Sequence, residues 1–213
     1  MSKLIADLSM SLDGFVAGPE QSMKDPLGIG GMQLHEWAFA AMSWREEHGQ
    51  TGGEENTDSD HIDALRARVG AGIMARKMYS GGEGPWADDA NGRGWWGENP
   101  PYHGPVFVLT HHARDSLQME GGNIFHFVTD GIEAALSQAR EAAGDRNVSI
   151  AGGASTVNQF LAAGLIDELR LHIAPMTLGA GERLFDGVSP MRLEPVSARF
   201  TPLVTHTVYR VLR

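Results

Sequence analysis

The 213-residue sequence predicts an α/β fold with a mostly parallel central sheet and an antiparallel C-terminal hairpin. Two observations carry this. Short β-rich runs alternate with helix-period segments through most of the chain, and such an order folds through right-handed crossovers that leave neighbouring strands parallel. The alternation then gives way to strands alone, which can pair as an antiparallel hairpin. Neither an internal repeat nor a composition break divides the chain, so residues 1–213 are expected to form one domain.

Residues 4–10 (LIADLSM) read as the first strand, ended by Ser11, Leu12, Asp13 and Gly14, and a short apolar stretch follows at 15–18. Leu34, Trp37, Ala38 and Ala41 recur at helical spacing, which predicts a helix over 34–44. A second helix is expected over 58–69, with Ile62, Leu65 and Val69 on one face, and residues 70–74 (GAGIM) read as a buried strand. Strands follow at 106–110 and 124–129. Asp130, with Glu133 three residues on, has the pattern of a capping box for a helix over 131–143 that stops at Gly144. A strand at 148–151 leads through two glycines into a helix over 154–163, closed by Gly164. Residues 168–174, 191–200 and 204–212 read as β; in the last, Thr205, Thr207 and Tyr209 alternate with His206, Val208 and Arg210. An acidic stretch containing Glu46, Glu47, Glu54, Glu55, Asp58 and Asp60 reads as a solvated loop. A Gly/Trp/Pro-rich segment at 81–105 is a second long loop.

Composition narrows the function. The net charge is -10 and no basic stripe is visible, so no nucleic-acid partner is expected. No apolar run approaches the roughly 20 residues that span a bilayer, and Lys3 and Asp7 arrive too early for a signal peptide. With no cysteine, disulfides and zinc–thiolate sites are impossible, and a cytoplasmic location without a membrane partner is expected.

Four places could carry chemistry. Ala151, Gly152, Gly153, Ala154, Ser155 and Thr156 join a strand to a helix. Free N–H groups at a helix start favour an anion, and glycine lets a phosphate approach the backbone; a plain packing turn would look the same. Arg76 and Lys77 follow a buried strand, at the usual ligand edge of such a sheet. Arg76 could grip a phosphate, or both could be ordinary surface cations. Thr110, His111 and His112 follow another strand; adjacent residues on extended chain point to opposite faces, the other histidines are scattered, and no metal site is expected. Asp13 could face a substrate or merely form an Asp-Gly turn.

In order along the chain, SMSLDGFVAG (9–18), IMARKMY (73–79), VFVLT (106–110), IAGGA (150–154), LIDELRLHIAP (165–175) and LGAGERLF (178–185) resemble the dihydrofolate-reductase-like superfamily. The resemblance is to the reductase domain of bifunctional riboflavin-biosynthesis proteins and its stand-alone bacterial relatives. It implies a three-layer α/β/α fold and NADPH as cofactor. Carried over by position, Arg76 and Lys77 correspond to the 2′-phosphate region, and Met74 precedes them. Thr110, His111 and Thr129 correspond to the adenosine end, and Ala151–Thr156 to the pyrophosphate turn, where a cis Gly-Gly bond is common. Ala17 and Gly18 belong to a mobile loop, 13–18, beside the nicotinamide.

The resemblance further implies hydride transfer to a small heterocyclic substrate of the riboflavin-pathway pyrimidine type. Dihydrofolate reductase and a non-catalytic NADP(H)-binding module are the alternatives. The sequence departs from the riboflavin reductases in having Ala151 where a glutamate often precedes the glycine pair. Asp13 and Glu36 are the candidates for proton transfer, and Trp86, Trp95, Trp96 and Tyr102 for a wall of the substrate pocket, or for loop packing or a subunit contact. A homodimer through the late strands is expected by the same resemblance.

Overall fold

The structure is a computed structural model that describes residues 2–22, 24–80, 84–86, 94 and 97–212. In chain order its strands are β1 (Leu4–Ser11), β2 (Phe15–Ala17), β3 (Val69–Ala75), β4 (Pro105–Leu109), β5 (Leu117–Gln118), β6 (Ile124–Val128), β7 (Asn147–Gly152), β8 (Glu168–Ala174), β9 (Glu182–Arg183), β10 (Arg192–Phe200) and β11 (Thr205–Leu212). The helices are α1 (Glu36–Ala40), α2 (Met42–Glu47), α3 (Thr57–Arg66), α4 (Arg76–Ser80), α5 (Gly131–Ala143) and α6 (Ala154–Ala162), with a 3-10 turn at Gly31–His35 before α1.

Nine strands make one sheet in the order β10-β11-β8-β1-β7-β3-β4-β6-β5, and β2 pairs with β9 in a separate ribbon. From β8 to β6 every pairing is parallel. The β10–β11 hairpin and β5 add antiparallel edges. This is the mixed, mostly parallel sheet that the alternating pattern predicts.

Helices cover both faces. On one, Leu4, Ala6 and Leu8 of β1 join Ile73, Phe107, Val148 and Ile150 beneath the buried sides of α5 and α6, including Leu136, Ala139, Val157 and Phe160. On the other, Trp37 and Ala38 of α1 pack with Val204 and, partly buried, Trp44 and Ile62. Met74, Tyr79, Val106, Val108 and Phe125 form a smaller cluster with α4.

Three local expectations are corrected. The single helix over 34–44 is a 3-10 turn plus α1 and α2, broken at Ala41, whose backbone is extended (φ -72, ψ 136). There the chain bridges to Glu54: Glu54 N–H donates to Ala40 at 2.8 Å, and Met42 N–H donates back to Glu54 at 3.0 Å. α3 ends at Arg66, Val69 belongs to β3, and the helix buries Asp58 and Ser59. Asp58 is therefore no part of a solvated loop. Asp130 does not cap α5 with its side chain; its backbone is not extended (φ -90, ψ 17), and an N-cap needs the extended conformation to reach back.

Glycine contacts hold the loops beyond β1 together. A Cβ on Gly18 would lie 2.0 Å from the Ile29 carbonyl oxygen, and one on Gly181 (φ 130) would lie 2.1 Å from that of Ala17. Backbone meets backbone at both points, so neither can yield by rotating a side chain. Gly18→Ala is expected to lower stability by about 1–3 kcal/mol, the range for overpacking, read as a lower urea midpoint. An unchanged midpoint would show that the two loops are not packed this way.

Candidate functional site

The parallel strands end on one edge, and the loops that leave them build the candidate site. β7 ends at Gly152, and the Gly152–Gly153 peptide bond is cis. Gly153 is the N-cap of α6, and no side chain caps the helix. A Cβ on Gly153 would meet nothing within 4 Å, so the space in front of this helix start is open. Ser155 is exposed beside it, whereas Thr156 is buried. Uncapped first-turn N–H groups together with an exposed hydroxyl suit an anion.

Register brings a cation to the same edge. Met74 of β3 pairs with Gly152, and Arg76 follows two residues later as the first residue of α4. Its guanidinium donates to the carbonyls of Gly84 and Pro85 and lies 3.8 Å over the Trp86 ring. Arg114 reaches the same ring at 5.0 Å. Arg76 Nε is buried without a hydrogen-bond partner. Burial, and then the neighbouring Arg114, pull the Arg76 pKa down. Lys77 is exposed next to it.

The other positions expected for a nucleotide lie along this edge. Thr110 is buried just past β4, where its hydroxyl accepts the His112 N–H at 3.1 Å. His111 and Thr129 are exposed after β4 and β6. Ala17 closes β2, beyond β1, and Gly18 follows it. Trp86 and Tyr102 do not line the region around β1. Trp86 packs on Tyr79 and Phe127, and Tyr102 on Phe125, at the β4–β6 end of the sheet. Trp95 and Trp96 lie outside the described residues.

Asp13 is fully engaged. Its carboxylate accepts from the Ser11 hydroxyl at 2.6 Å and from the backbone N–H groups of Leu178 and Gly179 at 3.1 and 2.7 Å. The Ser11 bond, then the two amide donors, hold its pKa at about 2. A carboxyl group so acidic is ionised near neutrality and is no proton donor there. It fastens the 13–18 loop to the 176–184 loop. The Leu184 N–H bond to Gly14 (2.9 Å), the β2–β9 pairing and Arg183 over the Phe15 ring at 4.7 Å complete the fastening. The segment expected to be mobile is thus held at several points. Glu36, in contrast, is exposed at the start of α1.

Beneath this edge lies a polar cluster that sequence reading missed. Asp7 of β1, His172 of β8, His206 of β11 and Asp58 and His61 of α3 gather around Trp37. Burial tends to raise the Asp7 pKa, but the His172 and His61 rings beside it hold it well below the usual carboxylate range. Burial pulls the His206 pKa down, against the Asp58 carboxylate, which raises it. Burial also pushes nearby His35 down to about 4. Only the alternation in β1 and β8 could have signalled this, since Asp7 and His172 point to the face opposite the apolar Leu4, Ala6 and Leu8.

Residues 2–205 match the family described as the RibD C-terminal domain, and the chain belongs to that reductase-like family. Uncharacterized protein YyaP of Bacillus subtilis (strain 168) is 31% identical over 118 residues, 53% of this chain and 62% of YyaP. The match therefore spans less than two thirds of that relative. Among solved structures, a Shewanella sp. PV-4 protein named for riboflavin biosynthesis shares the fold at TM-score 0.67 and 23% identity, over 99% of both chains. The riboflavin biosynthesis reductase Rib7 of Saccharomyces cerevisiae shares it at TM-score 0.57 and 12% identity, over 100% of this chain and 90% of that one.

Two measurements check this geometry. The folded pKa of Asp13 lies below its ordinary 3.8, so its contribution is complete above about pH 4 and is lost as pH falls through about 2. Asp13→Ala is accordingly expected to speed hydrogen exchange at the Leu178, Gly179 and Leu184 amides equally at pH 5 and pH 8. For His35 the sign is opposite: the folded ring stays neutral down to about 4 while the unfolded chain takes up a proton below 6.5. Stability should therefore fall between those pH values, by up to about 3 kcal/mol, and His35→Phe should flatten the fall in a urea-unfolding series.

Proposed function

We propose that this protein is an NADPH-dependent reductase acting on a small heterocyclic substrate of the pyrimidine type. The observation that carries the reading is the pairing of Met74 with Gly152, which sets the uncapped start of α6 and the Arg76 guanidinium on one sheet edge. The residues fit the cofactor. Gly153 and Ser155 would hold the pyrophosphate, Arg76 and Lys77 the 2′-phosphate, and Thr110, His111 and Thr129 the adenosine end. The bound nicotinamide nucleotide supplies the hydride. Because Arg76 already donates to Gly84 and Pro85, a phosphate competes with two carbonyls for it, and the buried Nε adds a donor.

The substrate half rests on the loops beyond β1. Leu12, Ile29 and Met32 are exposed there and offer an apolar rim for a flat ring. The 3-10 turn that carries Met32 packs against the ends of β1 and β8, and Glu36 follows it directly. Glu36 is assigned proton delivery to the reduced bond; Asp13 is assigned positioning of the loop. A homodimer through β10 completes the reading. That strand is an open edge exposed along nearly all its length, with Phe200 84% exposed, and such edges call for a partner.

Nucleotide titration and steady-state NADPH oxidation with the deaminated ribosylaminopyrimidine test this. Arg76→Ala should weaken NADPH binding about 10- to 100-fold, as for a lost charge-assisted bond, with NADH binding little changed. Glu36→Gln should lower kcat about 100-fold or more while sparing nucleotide binding. Turnover of dihydrofolate instead would move the assignment to the folate reductases. Nucleotide binding without turnover across pyrimidines and pterins would leave a binding module.

A further inference from the structure

We propose that His61, His172 and His206 bind one divalent transition-metal ion of the zinc type between α3 and the sheet. One ring nitrogen from each lies within 4.8 Å of the others. They come from three separate elements, α3, β8 and β11, so the grouping is a product of the tertiary fold. Neither the proposed nucleotide edge nor Glu36 takes part in it.

Hydrogen-bond polarity supports a cation here. His172 Nε2 lies 2.8 Å from Asp7 Oδ1, and His206 Nε2 lies 2.8 Å from Asp58 Oδ1. An ionised carboxylate only accepts, so both Nε2 atoms carry hydrogens, and with both rings neutral each would be left with a lone pair on Nδ1. Those two Nδ1 atoms face one another at 2.6 Å. Two lone pairs repel at that distance, so a cation must join the rings: a shared proton at this spacing, or a metal ion once they open to about 3.4 Å. A carboxylate on the outer nitrogen with the inner one free is the second-shell pattern of metal-bound histidine. His61 Nε2 and Asp7 Oδ2 are 3.6 Å apart, buried, and without hydrogen-bond partners. A small inward shift of His61 would make them a third such pair.

Charge points the same way. Asp7 and Asp58 make their ion pairs with histidines alone among the described residues, and no lysine or arginine pairs with either. Buried carboxylates without a cation are costly, and a divalent ion restores neutrality. Ligands about 2.0–2.1 Å from a tetrahedral zinc stand about 3.4 Å apart. One ring nitrogen from each histidine lies within 4.8 Å of the others, and the Nδ1 pair at 2.6 Å would have to open by about 0.8 Å to reach that value. Three imidazoles suit zinc, cobalt, nickel or copper and leave a fourth position for water. The ion would clip α3 to β8 and β11, which accounts for a helix that turns Asp58 inward.

The test uses the full chain, stripped with a chelator and titrated with Co2+ and then Zn2+. One equivalent of Co2+ should bind with visible d–d bands, Zn2+ should displace it, and Zn2+ should raise Tm by several degrees. His61→Ala, at the outer edge of the cluster, should weaken binding at least tenfold, and the His111→Ala/His112→Ala surface pair should leave it unchanged. His172→Gln and His206→Gln serve if His61→Ala fails to fold. In wild-type protein, histidine ring 15N signals of residues 172 and 206 should shift on adding zinc, which requires no variant. Failure to bind one equivalent, binding that survives in His61→Ala, or a shared-proton resonance between the two rings that persists at saturating zinc would each overturn the proposal.

Discussion

The parallel register of β7 against β3 is the constraint on which the site depends. Met74 opposite Gly152 is a statement about backbone hydrogen bonds, made in the middle of the sheet. Side chains buried on both sides fix that register, because a slip by one residue would turn Ile73 and Ile150 out of the core. Once it is set, the chain has little choice. Arg76 must leave β3 close to where α6 begins, and the loops after β4 and β6 must enter beside them. The opposed positive features, a helix start and a guanidinium, are thus positioned by apolar packing well away from any ligand.

The second half of the site is held differently. Around β1 the loops are joined by backbone contacts and by one carboxylate. Asp13 collects a hydroxyl and two amides, and glycines at 18 and 181 let main chains meet where a Cβ would collide. The edge proposed for the cofactor therefore rests on the sheet, and the loop side on interlocked turns. The sheet itself changes character across its width: apolar on both faces through β3 and β4, it becomes polar on one face at β1, β8 and β11.

Most of the architecture was legible in the sequence because apolar periodicity reports burial, and α5 and β8 begin and end where the pattern places them. The sheet edge proposed to bind nucleotide was legible for a related reason. Gly152 ends a buried strand and Gly153, Arg76 and Thr110 sit just past buried strands, so finding the strands finds the edge. What failed was local or buried-polar. Ala41 breaks a helix because of a bridge to Glu54, thirteen residues away in the chain, and periodicity carries no trace of it. Asp58 reads as part of a solvated acidic stretch because charged residues usually face solvent, and His61 carries no signal of its own. Their inward placement depends on partners in β8 and β11 far along the chain. The sequence leaves the place of Trp86, packed on Tyr79 and Phe127, open between pocket wall, loop packing and subunit contact, since composition marks an aromatic loop without saying where it lands.

α6 joins the two halves in a way that neither reveals alone. Its first turn faces the open space after Gly153, and one turn later Asn158 holds the other loop, donating to the Arg183 carbonyl at 3.1 Å and accepting the Phe185 N–H at 2.8 Å. The helix start proposed for the nucleotide and the β9 loop are therefore spaced by a few residues of one rigid rod. Helical geometry ties their separation to about 1.5 Å and their relative angle to about 100° per residue. Inserting a single residue between Ser155 and Asn158 would leave both ends chemically intact yet aim them in different directions. Variation within the family should accordingly fall on loop lengths and rim side chains, while the count of residues in this short stretch stays invariant.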